Sequence, residues 1–145
     1  MFQTNRHIDR YQVMEEFEAL SQTQTENFTA RFFAHRRTGL VWIRCSGRGS
    51  LISAERFSEE LKTLPERVEF PRILLDILSL NRVDPLADKY VGETLRCLFP
   101  EVDRVAITGN SPLTIMRDLF YRRFIEPGPI REFASVDSAL GWLLE

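Results

Sequence analysis

Apolar and polar positions in the first third of the chain predict an antiparallel hairpin that follows a polar arm. Two runs rich in Phe, Val, Ile and Trp, at residues 28–35 and 40–45, flank a turn that ends in Gly39. Such runs on either side of a glycine-containing turn are typical of paired strands. We interpret residues 1–25 as an N-terminal arm. Its apolar residues predict a short amphipathic helix after Asp9: Tyr11, Val13, Met14, Phe17 and Leu20.

The segment after the hairpin predicts a capped helix. We expect Gly47 and Gly49 to break the second strand and Ser53 to cap the helix. Ile52 and Phe57 are spaced to pack as a hydrophobic staple at the helix start. The apolar stripe of this helix repeats at helical intervals: Phe57, Leu61 and Leu64.

Two later apolar runs predict buried strands at residues 73–77 and 104–108, and residues 130–133 predict a short last strand. Asp76 interrupts the first run, and we place it at the end of that strand. N-cap residues mark the starts of the three later helices. Two of them are followed by a proline in the first turn, and the third stands without one: Asp84 with Pro85, Ser111 with Pro112, and Ser135. This order predicts an α/β fold with a mixed β-sheet, in which an N-terminal antiparallel hairpin precedes parallel strands joined by helices.

Composition and charge exclude several functional classes. A chain of 145 residues with 43% hydrophobic and 28% charged residues fits one globular domain, which we assign to residues 26–145 after the arm. The formal charge of −2 does not attract the negatively charged backbone of a nucleic acid, so no nucleic-acid partner is expected. Neither a membrane-spanning run nor a signal-peptide pattern is visible, so we expect a cytoplasmic protein.

Few residues offer reactive or metal-binding chemistry. Two cysteines and two histidines are too few for a zinc site or a disulfide framework: Cys45, Cys97, His7 and His35. We expect both cysteines to be buried among apolar neighbours and both histidines to face solvent. The sequence contains no Gly-x-Ser-x-Gly motif of the common hydrolases. We therefore expect no metal, no cofactor and no catalytic residue, and a protein that is not an enzyme.

Four segments in this order carry a family resemblance. They are Gly-Ser-Leu-Ile-Ser-Ala-Glu at 49–55, Ile-Leu-Leu-Asp-Ile at 73–77, Arg-Val-Ala-Ile-Thr-Gly at 104–109, and the terminal stretch 133–143. Together they resemble the SpoIIAA-like or STAS-like family of small α/β domains over about residues 28–144. That family includes anti-sigma factor antagonists and is grouped in fold with Sec14-type lipid-binding domains.

The resemblance implies one departure from the family pattern. In anti-sigma factor antagonists, the strand aspartate is followed by a loop and an Asp-Ser pair, whose serine accepts phosphate from a partner kinase. Counted without gaps from Asp76, that pair falls at Asp84 and Pro85, so the acceptor serine is replaced by proline. Ser79 lies in the same predicted loop, where we interpret it as a local hydrogen-bonding residue.

The resemblance also implies a function: a non-enzymatic binding or regulatory module that engages a protein partner. The candidate residues cluster at the predicted carboxyl ends of the strands: Asp76, Ser79, Asn81, Asp84, Gly109, Asn110 and Ser111. The simpler interpretation of Asp84 and Ser111 is as helix caps, and of Gly109 as a turn residue.

Three other hypotheses stay open. The Sec14-type kinship implies a carrier for a small apolar ligand or lipid, held between sheet and helices. An unrecognised enzyme would use Asp76 and Asp84 as paired carboxylates. The third is self-association as a homodimer, through the exposed edge of the hairpin or through the aromatic-rich N-terminal strand with Phe28, Phe32 and Phe33.

Overall fold

A mixed β-sheet with its strands in chain order forms the centre of the fold. The computed structural model describes residues 16–109 and 129–145, and in these residues the sheet has six strands. They are β1 (Glu18–Thr25), β2 (Phe28–His35), β3 (Leu40–Gly49), β4 (Arg72–Val83), β5 (Arg104–Thr108) and β6 (Ile130–Phe133). Strands β1 to β3 pair antiparallel and β3 to β6 pair parallel. The predicted α/β fold with a mixed sheet is confirmed.

Helices lie on both faces of the sheet. Within residues 16–109 and 129–145 they are α1 (Leu51–Lys62), α2 (Leu64–Arg67), α3 (Pro85–Leu98), the 3₁₀ turn Phe99–Glu101, and α4 (Val136–Leu143). The helix predicted to begin at Ser111 lies outside the described residues. One face of the sheet packs against α1, α2 and α3, and the other packs against α4. Successive strand residues point to opposite faces, so Leu74 meets α4 whereas its neighbours Ile73 and Leu75 join the core under α1 and α3.

Aromatic side chains fill the larger core. Phe32 of β2 is fully buried, and its ring centroid lies 5.7 Å from that of Phe57 in α1. Phe28 meets the same ring edge-on at 5.9 Å. These contacts confirm that the apolar stripe predicted for the helix faces the sheet.

Strand β3 is longer than the sequence predicts. The two glycines do not break it, since pairing with β4 continues to Gly49 through a register shift after Gly47. Gly47 has φ +92°, and the amide of the next residue, Arg48, donates to the Asn27 carbonyl at 2.8 Å. A glycine at this point lets the strand bulge and continue.

The start of α1 also differs from the prediction. The cap is Ser50, whose hydroxyl accepts a hydrogen bond from the amide of Ser53 at 3.2 Å. Ser53 itself lies inside the helix. Ile52 is 63% exposed, so the predicted staple with Phe57 is wrong. The cap at Ser135 of α4 is confirmed, because its hydroxyl accepts from the amide of Ser138 at 3.2 Å.

Residues 18–25, which the sequence assigns to the arm, form strand β1 along β2. The helix predicted there is wrong for Phe17–Leu20, because Phe17 is not helical and a strand that pairs with β2 begins at Glu18. The apolar residues Tyr11, Val13 and Met14 lie outside the described residues. Because β1 covers β2, the strand with Phe28 and Phe32 is not at the edge of the sheet, and both side chains are buried. The aromatic strand is therefore wrong as an association edge, whereas self-association itself stays a prediction.

Candidate functional site

Asp76 is the centre of a buried polar network on the α4 side of the sheet. One carboxylate oxygen, Oδ2, accepts a hydrogen bond from Trp42 Nε1 at 3.2 Å. The other, Oδ1, accepts from Thr108 Oγ1 and from the amide of Leu78, each at 3.2 Å. Since these donors come from β3, β4 and β5, and Asp76 is only 8% exposed, the carboxylate ties three strands together.

The sequence predicts Asp76 at the end of its strand, but in the structure Asp76 lies within β4. The β4–β5 ladder ends at the Asp76–Thr108 pair, but β4 runs on beside β3 to Val83. Residues 78–83 are largely exposed and carry no buried apolar run, so their pattern did not indicate a strand. Ser79 and Asn81 therefore lie in this strand and are exposed, not in a loop.

The two predicted carboxylates do not come together. Asp84 lies eight positions after Asp76 along extended chain, a span of roughly 25 Å at the usual rise of a strand. Paired acid/base chemistry needs two carboxyl groups at one reacting bond. The described geometry therefore offers no support for an enzyme built on this pair.

Asp84 occupies the N-cap position of α3, but its side chain does not bond to the helix amides. Its carboxylate pairs with Arg48 instead, with Nη2 to Oδ1 at 3.3 Å. Its amide donates to the Gly49 carbonyl at 2.8 Å. Asp84 thus fixes the start of α3 to the end of β3, which corrects the expectation of a side-chain cap.

Gly109 makes a close approach to β4. It has φ +139°, and a Cβ placed on it would lie 2.9 Å from Ile77 Cγ1. Its amide donates to the Phe133 carbonyl at 3.3 Å. Gly109 therefore closes the end of β5, while the candidates Asn110 and Ser111 lie outside the described residues.

Four apolar side chains at the starts of α1 and α3 are exposed, and sequence analysis missed them. We call them the helix-start patch: Leu51 (41% exposed), Ile52 (63%), Leu86 (65%) and Tyr90 (37%). Leu51, Leu86 and Tyr90 line a surface groove of about 480 Å³. For Leu51 and Leu86 the signal in the sequence was an apolar residue in the first helical turn that does not fall on the buried stripe. Ile52 was instead predicted to pack in a staple, and Tyr90 to lie on the apolar side of its helix.

The charges along this groove are mostly positive. Lys62 and Lys89 line it, and neither ammonium group forms an ion pair within residues 16–109 and 129–145. Glu93 also lines it, but its carboxylate is engaged by Arg96 at 2.9 Å. The groove therefore presents apolar surface flanked by uncompensated positive charge.

The apolar cavity between the sheet and helices α1 and α3 is small. It holds about 40 Å³ and is lined by residues that include Phe57, Leu75 and Val91. On this measure one water needs about 10–15 Å³, so the space corresponds to a few water molecules.

The expectations for cysteine and histidine are only partly met. Cys45 is buried, and burial raises the pKa of its thiol, with the Asp76 carboxylate raising it further, so the thiol stays neutral. Cys97 is exposed instead of buried. His35 is 1% exposed and bonds to Thr38 Oγ1 at 2.7 Å and to Glu16 Oε2 at 2.8 Å, which corrects the prediction of a solvent-facing histidine.

The described part of the chain contains neither a metal-binding cluster nor a membrane-spanning helix. No group of three or more His, Cys, Asp or Glu side chains is placed to hold a metal ion in residues 16–109 and 129–145. No helix within those ranges has the length and apolar character needed to cross a bilayer.

The chain has a SpoIIAA-like fold. It is similar to the crystal structure of an anti-sigma factor antagonist from Mycobacterium paratuberculosis, with 14% identity, a TM-score of 0.61, and coverage of 85% of this chain and 99% of that one. It is also similar to an uncharacterised DUF3478-family protein with a SpoIIAA-like fold from Shewanella loihica, with 18% identity, a TM-score of 0.55, and coverage of 86% and 99%. No family model matches the chain, and no curated protein matches it.

Proposed function

We propose that this protein is a non-enzymatic, cytoplasmic regulatory module that binds another protein through the helix-start patch. The observation that carries the proposal is the exposure of four apolar side chains on adjoining helix starts: Leu51, Ile52, Leu86 and Tyr90. Clustered exposed apolar side chains favour a protein–protein contact, whereas scattered ones need no explanation. Aromatic residues such as Tyr90 are enriched in such contacts.

The partner's contact segment is apolar with acidic residues beside it. Lys62 and Lys89 flank the groove without ion-pair partners among the described residues. Charge complementarity at the rim of an interface speeds association and selects partners. The fold supports a protein partner, because the Mycobacterium paratuberculosis neighbour is described as an antagonist of anti-sigma factors.

We propose further that the binding is not switched by phosphorylation at the usual position. The family pattern has an Asp-Ser pair at this helix start, and its aspartate corresponds to Asp84. The next residue, which begins α3, is Pro85, and proline has no hydroxyl group. Ser79 is exposed on β4, away from the helix start. A kinase acting at the first turn of α3 would therefore find no acceptor at position 85.

The alternative, a carrier for a lipid or small apolar ligand, has no observation in its favour. The cavity of about 40 Å³ between the sheet and α1 and α3 is the space in which such a ligand would sit.

Site-specific photo-cross-linking tests the proposal. A photoreactive residue is placed at position 86 in one variant and, as a matched control, at position 70 in another. Phe70 is 56% exposed and precedes β4, at the end of the strand away from Leu86. In the native host we expect one protein to cross-link selectively at position 86, because an interface contact holds it there.

The captured protein is then purified and its affinity measured. We expect Leu86→Asp to weaken binding by roughly tenfold or more, since a charge replaces an apolar anchor. Phe70→Asp should leave the affinity within about twofold, and aspartate tolerates the positive φ of that position. Equal cross-linking at the two positions, or equal losses of affinity, would contradict the proposal.

A further inference from the structure

The α4 face of the sheet carries a polar cleft beyond the area that α4 covers. Alternation along each strand puts this face opposite to Ala30, Ile43 and Leu75, which join the core under α1 and α3. The cleft has a volume of about 280 Å³. We call it the open-face cleft, and it is lined by side chains of β2, β3 and β4: Thr29, Arg31, Arg44, Ser46, Asp76 and Ser79.

Strand register arranges these side chains in two rows. Arg31 lies directly opposite Arg44, and Arg44 lies beside Asp76. The next row contains only hydroxyl groups: Thr29, Ser46 and Ser79 are register partners on the same three strands. A charged row thus borders a row of hydrogen-bond donors within one concavity.

The two arginines form a like-charge cross-strand pair. Side chains directly opposite in an antiparallel pair have Cβ atoms about 5 Å apart, and like charges there repel. Neither Arg31 nor Arg44 forms a salt bridge with a carboxylate in the part of the chain that the structure describes. An anion bound between the two guanidinium groups would relieve the repulsion.

The nearby carboxylate does not fill that role. Asp76 is buried, and both of its oxygens already accept hydrogen bonds from Trp42, Thr108 and Leu78. Two positive charges and one negative charge leave the cleft with a formal surplus of one positive charge. The surplus favours a ligand with an anionic group.

One of the arginines is held in place by an aromatic ring. The guanidinium carbon of Arg44 lies 5.0 Å from the centroid of the Trp42 ring. The Trp42 indole is in turn fixed by its hydrogen bond to Asp76. A cation–π contact of this kind orients the guanidinium and lowers the ordering cost of binding an anion.

We propose that the open-face cleft binds the phosphate group of a small phosphomonoester. The three terminal oxygens of that group accept hydrogen bonds from the guanidinium groups of Arg31 and Arg44 and from a hydroxyl of the second row. A carboxylate has only two oxygens and does not satisfy all three sets of donors together. The rest of the ligand lies along the hydroxyl row, and its size is limited by a cleft of about 280 Å³.

Calorimetric titration of the full chain in low-salt, phosphate-free buffer tests the assignment. The probes are glycerol 3-phosphate, inorganic phosphate, and succinate as the carboxylate comparison. We expect saturable binding of both phosphates, weaker binding of succinate, and a loss of affinity as salt is added. The Trp42 indole N–H resonance should shift with phosphate, because that ring contacts Arg44.

Variants locate the site. Arg31→Gln and Arg44→Gln should each weaken glycerol 3-phosphate binding by roughly tenfold, and the double variant should remove it. Arg56→Gln is the matched control, since this exposed arginine lies on α1, which packs on the other face, and it should change affinity by less than about twofold.

Three results would overturn the proposal. They are the absence of saturable phosphate binding at millimolar concentrations, an equal loss of affinity in the Arg56→Gln variant, and tighter binding of succinate than of glycerol 3-phosphate. The last result would assign the cleft to a carboxylate ligand. All variants alter exposed side chains, and circular dichroism verifies that each one is folded.

Discussion

Replacement of Asp76 by alanine is expected to lower the free energy of unfolding by about 2–4 kcal/mol. The substitution removes the acceptor for three donors: Trp42 Nε1, Thr108 Oγ1 and the Leu78 amide. The Thr108 side chain is fully buried, so its hydroxyl would lose its partner without gaining water. Loss of this group also loosens the junction of β3, β4 and β5.

Asp84→Ala is the matched control, and urea denaturation of both variants makes the comparison. The side chains of Asp84 and of its ion-pair partner Arg48 are 31% and 49% exposed. Exposed ion pairs contribute little, so we expect a loss below about 1 kcal/mol. Equal losses for the two aspartates would show that the network around Asp76 does not hold the sheet together.

The second large effect is expected at Gly47. Alanine there should lower the free energy of unfolding by about 2–4 kcal/mol, because its Cβ would collide with the Asn27 carbonyl oxygen and its φ of +92° disfavours any side chain. Relief of the collision would move the β1–β2 turn or break the bulge in β3. The loss is measured by thermal or urea unfolding.

Gly141→Ala provides the control for the Gly47 variant. Gly141 lies inside α4, and a Cβ there has no neighbour within 4 Å. Alanine is the better helix former, so this variant should gain about 0.5–1 kcal/mol. A loss at Gly141 similar to that at Gly47 would contradict the assignment of the Gly47 effect to its backbone angle and its close contact.

Buried elements were the parts of the fold that could be predicted from sequence. Continuous apolar runs such as that around Ile73–Leu75 mark strands covered on both faces, and all five predicted strands are present. Strand β1 and the outer half of β4 were missed, because their stability comes from pairing with a neighbouring strand while most of their side chains face solvent. Such strands carry no periodic apolar signal.

The candidate site was predictable only in part. Asp76 stands out because a carboxylate in an apolar run demands partners, and the structure supplies three. Its neighbours in space were not predictable, since Arg31 and Arg44 meet only through strand register, which the sequence does not specify. The exposure of Leu86 depends on how α3 rotates against α1, which is a property of their packing.

The central claim is that the protein recognises its partner at the helix-start patch. Amide hydrogen exchange, measured on the purified complex with the captured partner, tests this claim most directly. We expect the partner to slow exchange in the first turns of α1 and α3, around Leu51 and Leu86, and to leave β2 and β3 unchanged at the open-face cleft. Protection confined to the cleft strands, with the two helix starts exchanging as in the free chain, would contradict it.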